Sequence, residues 1–220
     1  MYKRQCPGPF QTTCALILAS GSPRRQRFLS GLGLDFVVQP SESQEIVPRP
    51  GESPLEYAKL NSRLKALDVA QRFPHAVSLG ADTIVVLDGE ILGKPRDENH
   101  ALDMLSRLVG RSHEVITSCC IVWSEKHITV EFSASSLVWL AEQNPDVLRA
   151  YVATGEPLDK AGSYAVQGIG AFMVERIEGS YSNVVGLPVD KVIKYLMELE
   201  VLKLRDRYGN RSSSSMSSNR

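Results

Sequence analysis

The sequence predicts an α/β protein: a mixed, partly antiparallel sheet with flanking helices, in two lobes around a central cleft. Three observations carry that expectation. Helical and strand periodicities are interspersed along the chain. Two strongly β-branched runs within 113–140, "HEVITSCCIVWSEKHITVEFSASSLVWL", are joined by a short polar turn, the signature of a long antiparallel hairpin. Several further strands are joined by hairpins rather than crossovers, which makes the sheet mixed.

In chain order, residues 1–14 mix Pro, Gly, Gln and Thr without periodicity and read as a flexible N-terminal extension. The apolar run Ala15–Ala19 is a buried strand. Ser22-Pro23 supplies an N-cap and a first-turn proline for a helix to about Gly31. "LDFVVQP" (34–40) is a second strand, and "SESQEIVPRPGES" (41–53) is a loop with two prolines and three acids. From Ser53-Pro54 the spacing of Leu55, Ala58, Leu60, Leu64, Leu67 and Val69 predicts a long helix. "AVSLGADTIVVLDGEILGKP" (76–95) reads as a strand, a polar break at Asp82, a second strand and an Asp88-Gly89 hairpin turn. A helix over about Glu98–Leu108, the long hairpin, and a helix from Asn144-Pro145 to about Thr154 follow. "AFMVERIEG" (171–179) is a strand and "LPVDKVIKYLMELEVL" (187–202) a closing amphipathic helix. The Ser-rich 205–220 tail cannot bury enough surface to fold, so the ordered domain is expected over 15–204.

Composition narrows the function classes. The 25 Lys and Arg balance 25 Asp and Glu, whereas long nucleic acid selects for a basic surplus because phosphate neutralisation supplies most of the binding energy. A local basic pocket remains compatible with neutrality. The four cysteines include no CxxC, and adjacent Cys119 and Cys120 in a strand point to opposite faces. Neither a zinc site nor a disulfide framework is expected. No apolar run is long enough for a membrane span or a signal segment, and the expectation is a soluble cytoplasmic protein.

Three clusters could carry chemistry. In "LASGSPRR" a helix start exposes unpaired N–H groups and about half a positive charge. Arg24 and Arg25 there are either a phosphate clamp or the solvated face of a capped helix. In "GADTIVVLDGEILGKP" the acid Asp82 interrupts an apolar run, which is costly unless it is paired, metal-bound or facing a cleft. Lys94, between Gly93 and Pro95, has a stiff backbone address; the bland alternatives are a bulge acid and a loop lysine. Glu42 or Glu45 in the acidic loop could join Asp82 in an oxygen-rich site for Mg²⁺ or Mn²⁺, or be solvated. Lys65, mid-helix near the apolar stripe, either snorkels or points into the cleft. In "EPLDKAGSYAVQGIG", Gln167 can offer both donor and acceptor to a base edge, or the glycines merely permit tight turns. His113 is expected to be structural, and His75, His100 and His127 to lie at the surface. No Walker A, G-x-G-x-x-G, G-x-S-x-G or H-E-x-x-H pattern occurs.

Together these stretches resemble the Maf family of nucleoside triphosphate pyrophosphatases. The motifs are "LASGSPRR" (18–25), Lys65-Ala66, "GADTIVVLDGEILGKPRD" (80–97), "EPLDKAGSYAVQG" (156–168) and "EGSYSNVVGLP" (178–188), in the family's order over most of the chain. The resemblance implies hydrolysis of a nucleoside triphosphate to monophosphate and pyrophosphate with a divalent metal, Mg²⁺ or Mn²⁺. It implies Asp82 as proton acceptor and metal ligand, and Glu45 as the loop carboxylate on the metal. Arg24, Thr83 and Gln167 match positions linked to substrate choice, and Ser20, Arg25, Lys65 and Lys94 match substrate-contacting positions. "GADT" with "AVQG" is similar to the branch acting on dTTP and UTP; the sister branch, acting on 7-methyl-GTP, typically carries Ser-Asp-Gln at 81–83. Val109 stands where a serine is common. A homodimer is compatible with the resemblance. The alternatives are the same chemistry on 7-methyl-GTP or another non-standard nucleotide, and a non-catalytic nucleotide-binding, division-control protein.

Overall fold

In the computed structural model, which describes residues 8–44, 46–48 and 51–205, a seven-stranded mixed sheet organises the chain. Strand β1 (Phe10–Thr12) is followed by β2 (Leu16–Leu18), helix α1 (Pro23–Gly31), β3 (Val37–Val38), α2 (Pro54–Arg72), β4 (Val77–Leu87), β5 (Glu90–Leu92) and α3 (Glu98–Leu108). Then come β6 (Ser112–Trp123), β7 (Ile128–Leu140), α4 (Pro145–Val152), β8 (Val174–Glu178), α5 (Tyr181–Val185), α6 (Val189–Glu198) and β9 (Leu202–Leu204). The strand order is β3-β2-β4-β6-β7-β8, with β5 folded back on β4. Pairings of β2 with β3 and β4 are parallel, and the others are antiparallel. The expected α/β class and mixed sheet are what is observed.

The long central strands carry two apolar clusters toward their opposite ends. One gathers Leu16, Leu18, Leu29, Leu79, Ile121, Leu187 and Leu196. The other gathers Val85, Leu92, Leu105, Leu108, Leu140, Leu148 and Tyr151. Strand β4 is buried almost throughout because the sheet is covered on both faces around it. Cys119 and Cys120 do face opposite sides, one in the first cluster and one against α2. Burial pushes both thiols up to about 12, which keeps them unreactive.

Several local expectations are corrected. Val77–Leu87 is one unbroken strand, not two strands around a polar break, because Asp82 is paired rather than looped out. Part of the expected N-terminal extension is a strand: β1 pairs antiparallel with β9, Phe10 opposite Leu204. That pairing ends the closing helix at Glu198 rather than at 202. Strand β3 is only two residues long, and the strand expected from 171 starts only at Val174, after a 3₁₀ turn over Ile169–Met173. The Ser-rich stretch 211–220 and Glu45 lie outside the described residues.

Helix α2 departs most instructively. Its buried face is Ala58, Ser62, Ala66, Val69 and Ala70 with Tyr57 and Asn61, while Leu60 of the expected stripe is exposed. Small residues let the helix backbone lie directly on the sheet. A Cβ built on Gly80 would sit 2.3 Å from the carbonyl oxygen of Ser62 and 2.7 Å from the amide nitrogen of Ala66. Gly80 therefore makes room for the helix.

Candidate functional site

That close helix–strand contact sets the centre of the site. Asp82 on β4 is 8% exposed, and the Lys65 ammonium on α2 lies 2.6 Å from its Oδ1. An aspartate in the middle of a buried strand is costly unless paired, and Lys65 is the pair. Of the two readings of Lys65, the inward one holds.

Both residues line a cavity of about 890 Å³ between the two clusters. From the first lobe it takes Ser20 to Arg25, the loop before α1 and that helix's first turn. From the second it takes Lys94, His100, Met104 and Arg107, then Asp159 and Lys160, then Tyr164 to Gln167. The sequence-predicted site residues Ser20, Arg24, Arg25, Lys65, Asp82, Thr83, Lys94 and Gln167 are on this wall. Glu42 is not. Its carboxylate meets Arg72 at 2.8 Å on the outside of α2. His100, partly exposed, is also among the residues that line the cavity, and its Nδ1 accepts the Arg96 amide at 3.2 Å. Glu90, Arg107, Lys160 and Tyr164 are wall residues that sequence reasoning missed. Val109 caps α3 outside the cavity.

The two arginines of the opening motif part company. Arg25 is buried and tied to protein groups on all sides. Its Nε donates to Gly186 O at 2.7 Å, and Nη1 donates to Ser20 Oγ at 2.9 Å and Ala81 O at 3.0 Å. Its Nη2 donates to Thr83 Oγ1 at 2.9 Å. Arg24 is half-buried on the wall and, like the exposed Lys94, makes no hydrogen bond or ion pair with another described residue. Its charge is felt at Asp159. Burial pushes that carboxyl up, but the Lys160 hydrogen bond and charge, with Arg24, hold it below the usual carboxylate range.

Hydrogen-bond polarity says what the hydroxyls can offer. Ser20 Oγ accepts from Arg25 and from its neighbour's amide, Ser22 N, at 3.3 Å, so its O–H is left to donate. Ser22 stands at the N-cap of α1 without a side-chain cap bond, and the helix start is set by Pro23. Thr117 Oγ1 donates to the carbonyl of Asn183 at 2.9 Å, an atom that can only accept. In the 2.9 Å pair between Thr83 Oγ1 and Thr117 Oγ1 the proton is then Thr83's, with the Gly186 carbonyl a more distant acceptor for it at 3.5 Å. With Arg25 donating to it and its own proton directed inward, Thr83 presents the cavity with an acceptor. Asn183 anchors this chain from α5, donating to Val115 O and Ser136 Oγ at 3.0 and 2.9 Å. Thus "EGSYSNVVGLP" acts through the buried Asn183 and the Gly186 carbonyl rather than by facing the cleft with charge.

Gln167 sits on the opposite wall, its Nε2 donating to Tyr181 Oη at 3.0 Å. His113, buried as expected, bonds Tyr164 Oη through Nε2 at 2.7 Å behind the wall. Among the described residues no group of three or more His, Cys, Asp or Glu side chains is placed to hold a metal ion, and no helix is long and apolar enough to cross a membrane.

The fold is thus a mixed α/β sheet whose cavity brings a helix N-terminus and several cations around one buried acid, a setting that favours anions. Residues 15–199 match the family described as Maf-like protein. A protein named dTTP/UTP pyrophosphatase from Oleidesulfovibrio alaskensis is 47% identical over 196 residues, covering 89% of this chain and 90% of its own length. Proteins of the same name from Desulfotalea psychrophila and Syntrophomonas wolfei are 45% and 47% identical, covering 86% and 80% of this chain and 96% and 92% of theirs. The chain belongs to the Maf family.

Proposed function

We propose that this chain hydrolyses dTTP and UTP to the nucleoside monophosphate and pyrophosphate, by attack of water at the α-phosphorus. The observation that carries the reading is the Lys65–Asp82 pair set in the wall of a cavity that also holds Ser20, Arg24, Thr83, Lys94 and Gln167. The names of the relatives support the same substrates.

The triphosphate carries close to four negative charges, and such transfers are catalysed chiefly by positioning and electrostatics. Arg24 and Lys94 supply charge from opposite lobes, Ser20 donates its O–H, and the N-terminus of α1 adds its amide dipoles. Arg25 braces this wall. Asp82 accepts the proton of the attacking water, and the Lys65 ammonium fixes the orientation of its carboxylate. The donor chemistry fits a hard divalent ion, Mg²⁺ or Mn²⁺, which takes one or two carboxylates and fills its shell with water and substrate phosphates. Asp82 would hold it, with Glu45 as the second carboxylate. When bound, the ion supplies Lewis-acid polarisation and charge neutralisation at the phosphates.

For the base, the Thr83 acceptor matches the N3–H of uracil or thymine and mismatches the bare N3 of cytosine. The amide of Gln167 would donate to O4. The test is pyrophosphate release from dTTP, UTP, CTP, GTP and 7-methyl-GTP with Mg²⁺ or Mn²⁺. Preference for the first two is expected, with a loss on the order of 10²-fold or more in Asp82→Asn if Asp82 is the base. Turnover of none of these nucleotides, or an Asp82→Asn variant as fast as the parent, would sink the proposal.

A further inference from the structure

The loop that carries Gln167 is held by a carboxylate that takes no part in the cavity wall. Glu156 Oε1 accepts the amide of Ile169 at 3.0 Å, and Oε2 accepts the amide of Gly170 at 2.8 Å. The Tyr151 hydroxyl donates to the same Oε2 at 2.9 Å. The backbone carbonyl of Glu156 accepts the Lys160 ammonium at 2.7 Å, and Lys160 does line the cavity. One residue thus ties together helix α4, the Lys160 segment and the two amides that follow Gln167-Gly168.

The fit leaves no slack. Gly168 has φ +105, in the left-handed region, and a Cβ there would lie 2.2 Å from Glu156 Oε1. A Cβ on Gly170 would lie 2.4 Å from Tyr151 Oη. Tyr151 itself is 2% exposed and packed in the second apolar cluster, so the loop is referenced to a rigid core. Burial raises the carboxyl of Glu156, yet the Gly170 and Ile169 amides and the Tyr151 hydroxyl outweigh it and hold the group below the usual carboxylate range. By contrast, the tether of Gln167 on the other side is a single bond to the exposed Tyr181.

We infer that Glu156 and Tyr151 are positioning residues for base selection: they hold the 166–170 loop so that the Gln167 amide meets the edge of the nucleobase. This rests on Gln167 reading the base, as proposed above. UTP and CTP are the probes, since they differ only at the 4-position and N3 that the amide and Thr83 face. Glu156→Gln keeps size but turns one of two acceptors into a donor, so an amide of the loop loses its partner. Tyr151→Phe keeps the ring, including its edge contact with Phe172 at 6.0 Å, and removes only the O–H.

The experiment measures kcat/KM for UTP and CTP by pyrophosphate release, in the full chain with Mg²⁺. The variants are Gln167→Ala, Glu156→Gln, Tyr151→Phe and the Glu156→Gln/Gln167→Ala double, with a thermal midpoint for each. Glu156→Gln is expected to lower the UTP/CTP ratio on the order of tenfold, and Tyr151→Phe by less. The double variant is expected to be no less selective than Gln167→Ala alone, because the two act through one contact. If Gln167→Ala collapses the ratio while Glu156→Gln and Tyr151→Phe lower both substrates equally, the positioning role is overturned and Gln167 keeps its part. An additive double variant overturns it too. If Gln167→Ala leaves the ratio unchanged, the base-reading assignment fails and this inference falls with it. Should Glu156→Gln not fold, Tyr151→Phe decides between the same outcomes.

Discussion

Replacing Gly80 by alanine isolates the contact on which the site is built. Gly80 has no positive φ, so alanine suffers no torsional penalty there, and its smaller unfolded-state entropy would by itself stabilise the fold by about 0.4–1 kcal/mol. Sterics reverse the sign. The new methyl would stand 2.3 Å from Ser62 O and 2.7 Å from Ala66 N, both backbone atoms, where ordinary contact begins at 3.4 Å. Helix α2 must therefore retreat by about 1 Å, an overpacking that costs typically 1–3 kcal/mol and outweighs the entropic gain. Lys65 adjoins Ala66, so the same retreat carries its ammonium off Asp82, now 2.6 Å away. A misplacement of about 1 Å can cost on the order of 10² in rate. Urea unfolding and pyrophosphate release from UTP, measured on the same preparation, test both halves. A Gly80→Ala variant with parental stability and turnover would refute the claim that the close α2–β4 approach places the pair.

Further outcomes follow from the same geometry. Arg24→Ala should leave the unfolding midpoint within about 0.5 kcal/mol of the parent while lowering turnover at least about tenfold. Arg25→Ala should lower stability by more, at least about 1–3 kcal/mol, because Ser20, Ala81, Thr83 and Gly186 each lose a buried donor, although Ser20 and Thr83 keep a second partner; equal stability of the two variants would contradict this division. Burial pushes the His113 imidazole down from 6.5 to about 4, so the unfolded chain binds the extra proton between those values. The contribution of this group to stability should be complete above about pH 6.5, fall by about 3 kcal/mol as pH drops toward 4, and change no further below. His113→Gln should flatten that part of a urea-midpoint profile, and an unaltered profile would count against the assignment.

How far the site was legible depended on whether each residue's signal was local. Asp82, Lys94 and Gln167 stand out because an acid in an apolar run, a lysine between Gly and Pro, and a glutamine among glycines are each locally anomalous. The continuity of β4 was hidden, since what makes a buried acid tolerable is a lysine 17 residues earlier, on another element. The buried face of α2 was hidden for a related reason. Leucine spacing marks a stripe where a helix stands off its neighbour, but one lying on a sheet buries alanine and serine, which carry little hydrophobic signal. Strand β1 depends on β9, almost the whole chain away, and its three residues have no pattern of their own. Glu156 was quoted within a motif without a role, because two backbone amides are its partners and sequence does not display them.

Adjacent residues on a helix point about 100° apart, so Arg24 and Arg25 meet different surroundings although both line the cavity. Where the helix starts decides which of them turns inward. Pro23 at the first helical position sends Arg25 under Gly186 and onto Thr83, and Arg24 onto the cavity wall. On the proposed function Arg25, which lines the cavity but is tied to four protein acceptors, would also act on the ligand through them: its bond leaves Ser20 with a proton to donate, and its bond to Thr83 helps leave that hydroxyl as an acceptor. In the proposed function the hydroxyl offered to phosphate and the acceptor offered to the base would thus hang on the two ends of one guanidinium. Arg25→Lys would keep the charge but lose the fork. It is expected to degrade UTP turnover and UTP/CTP discrimination together, whereas Arg24→Lys should spare both; kcat/KM for the two nucleotides in the two variants separates an organising arginine from a clamping one.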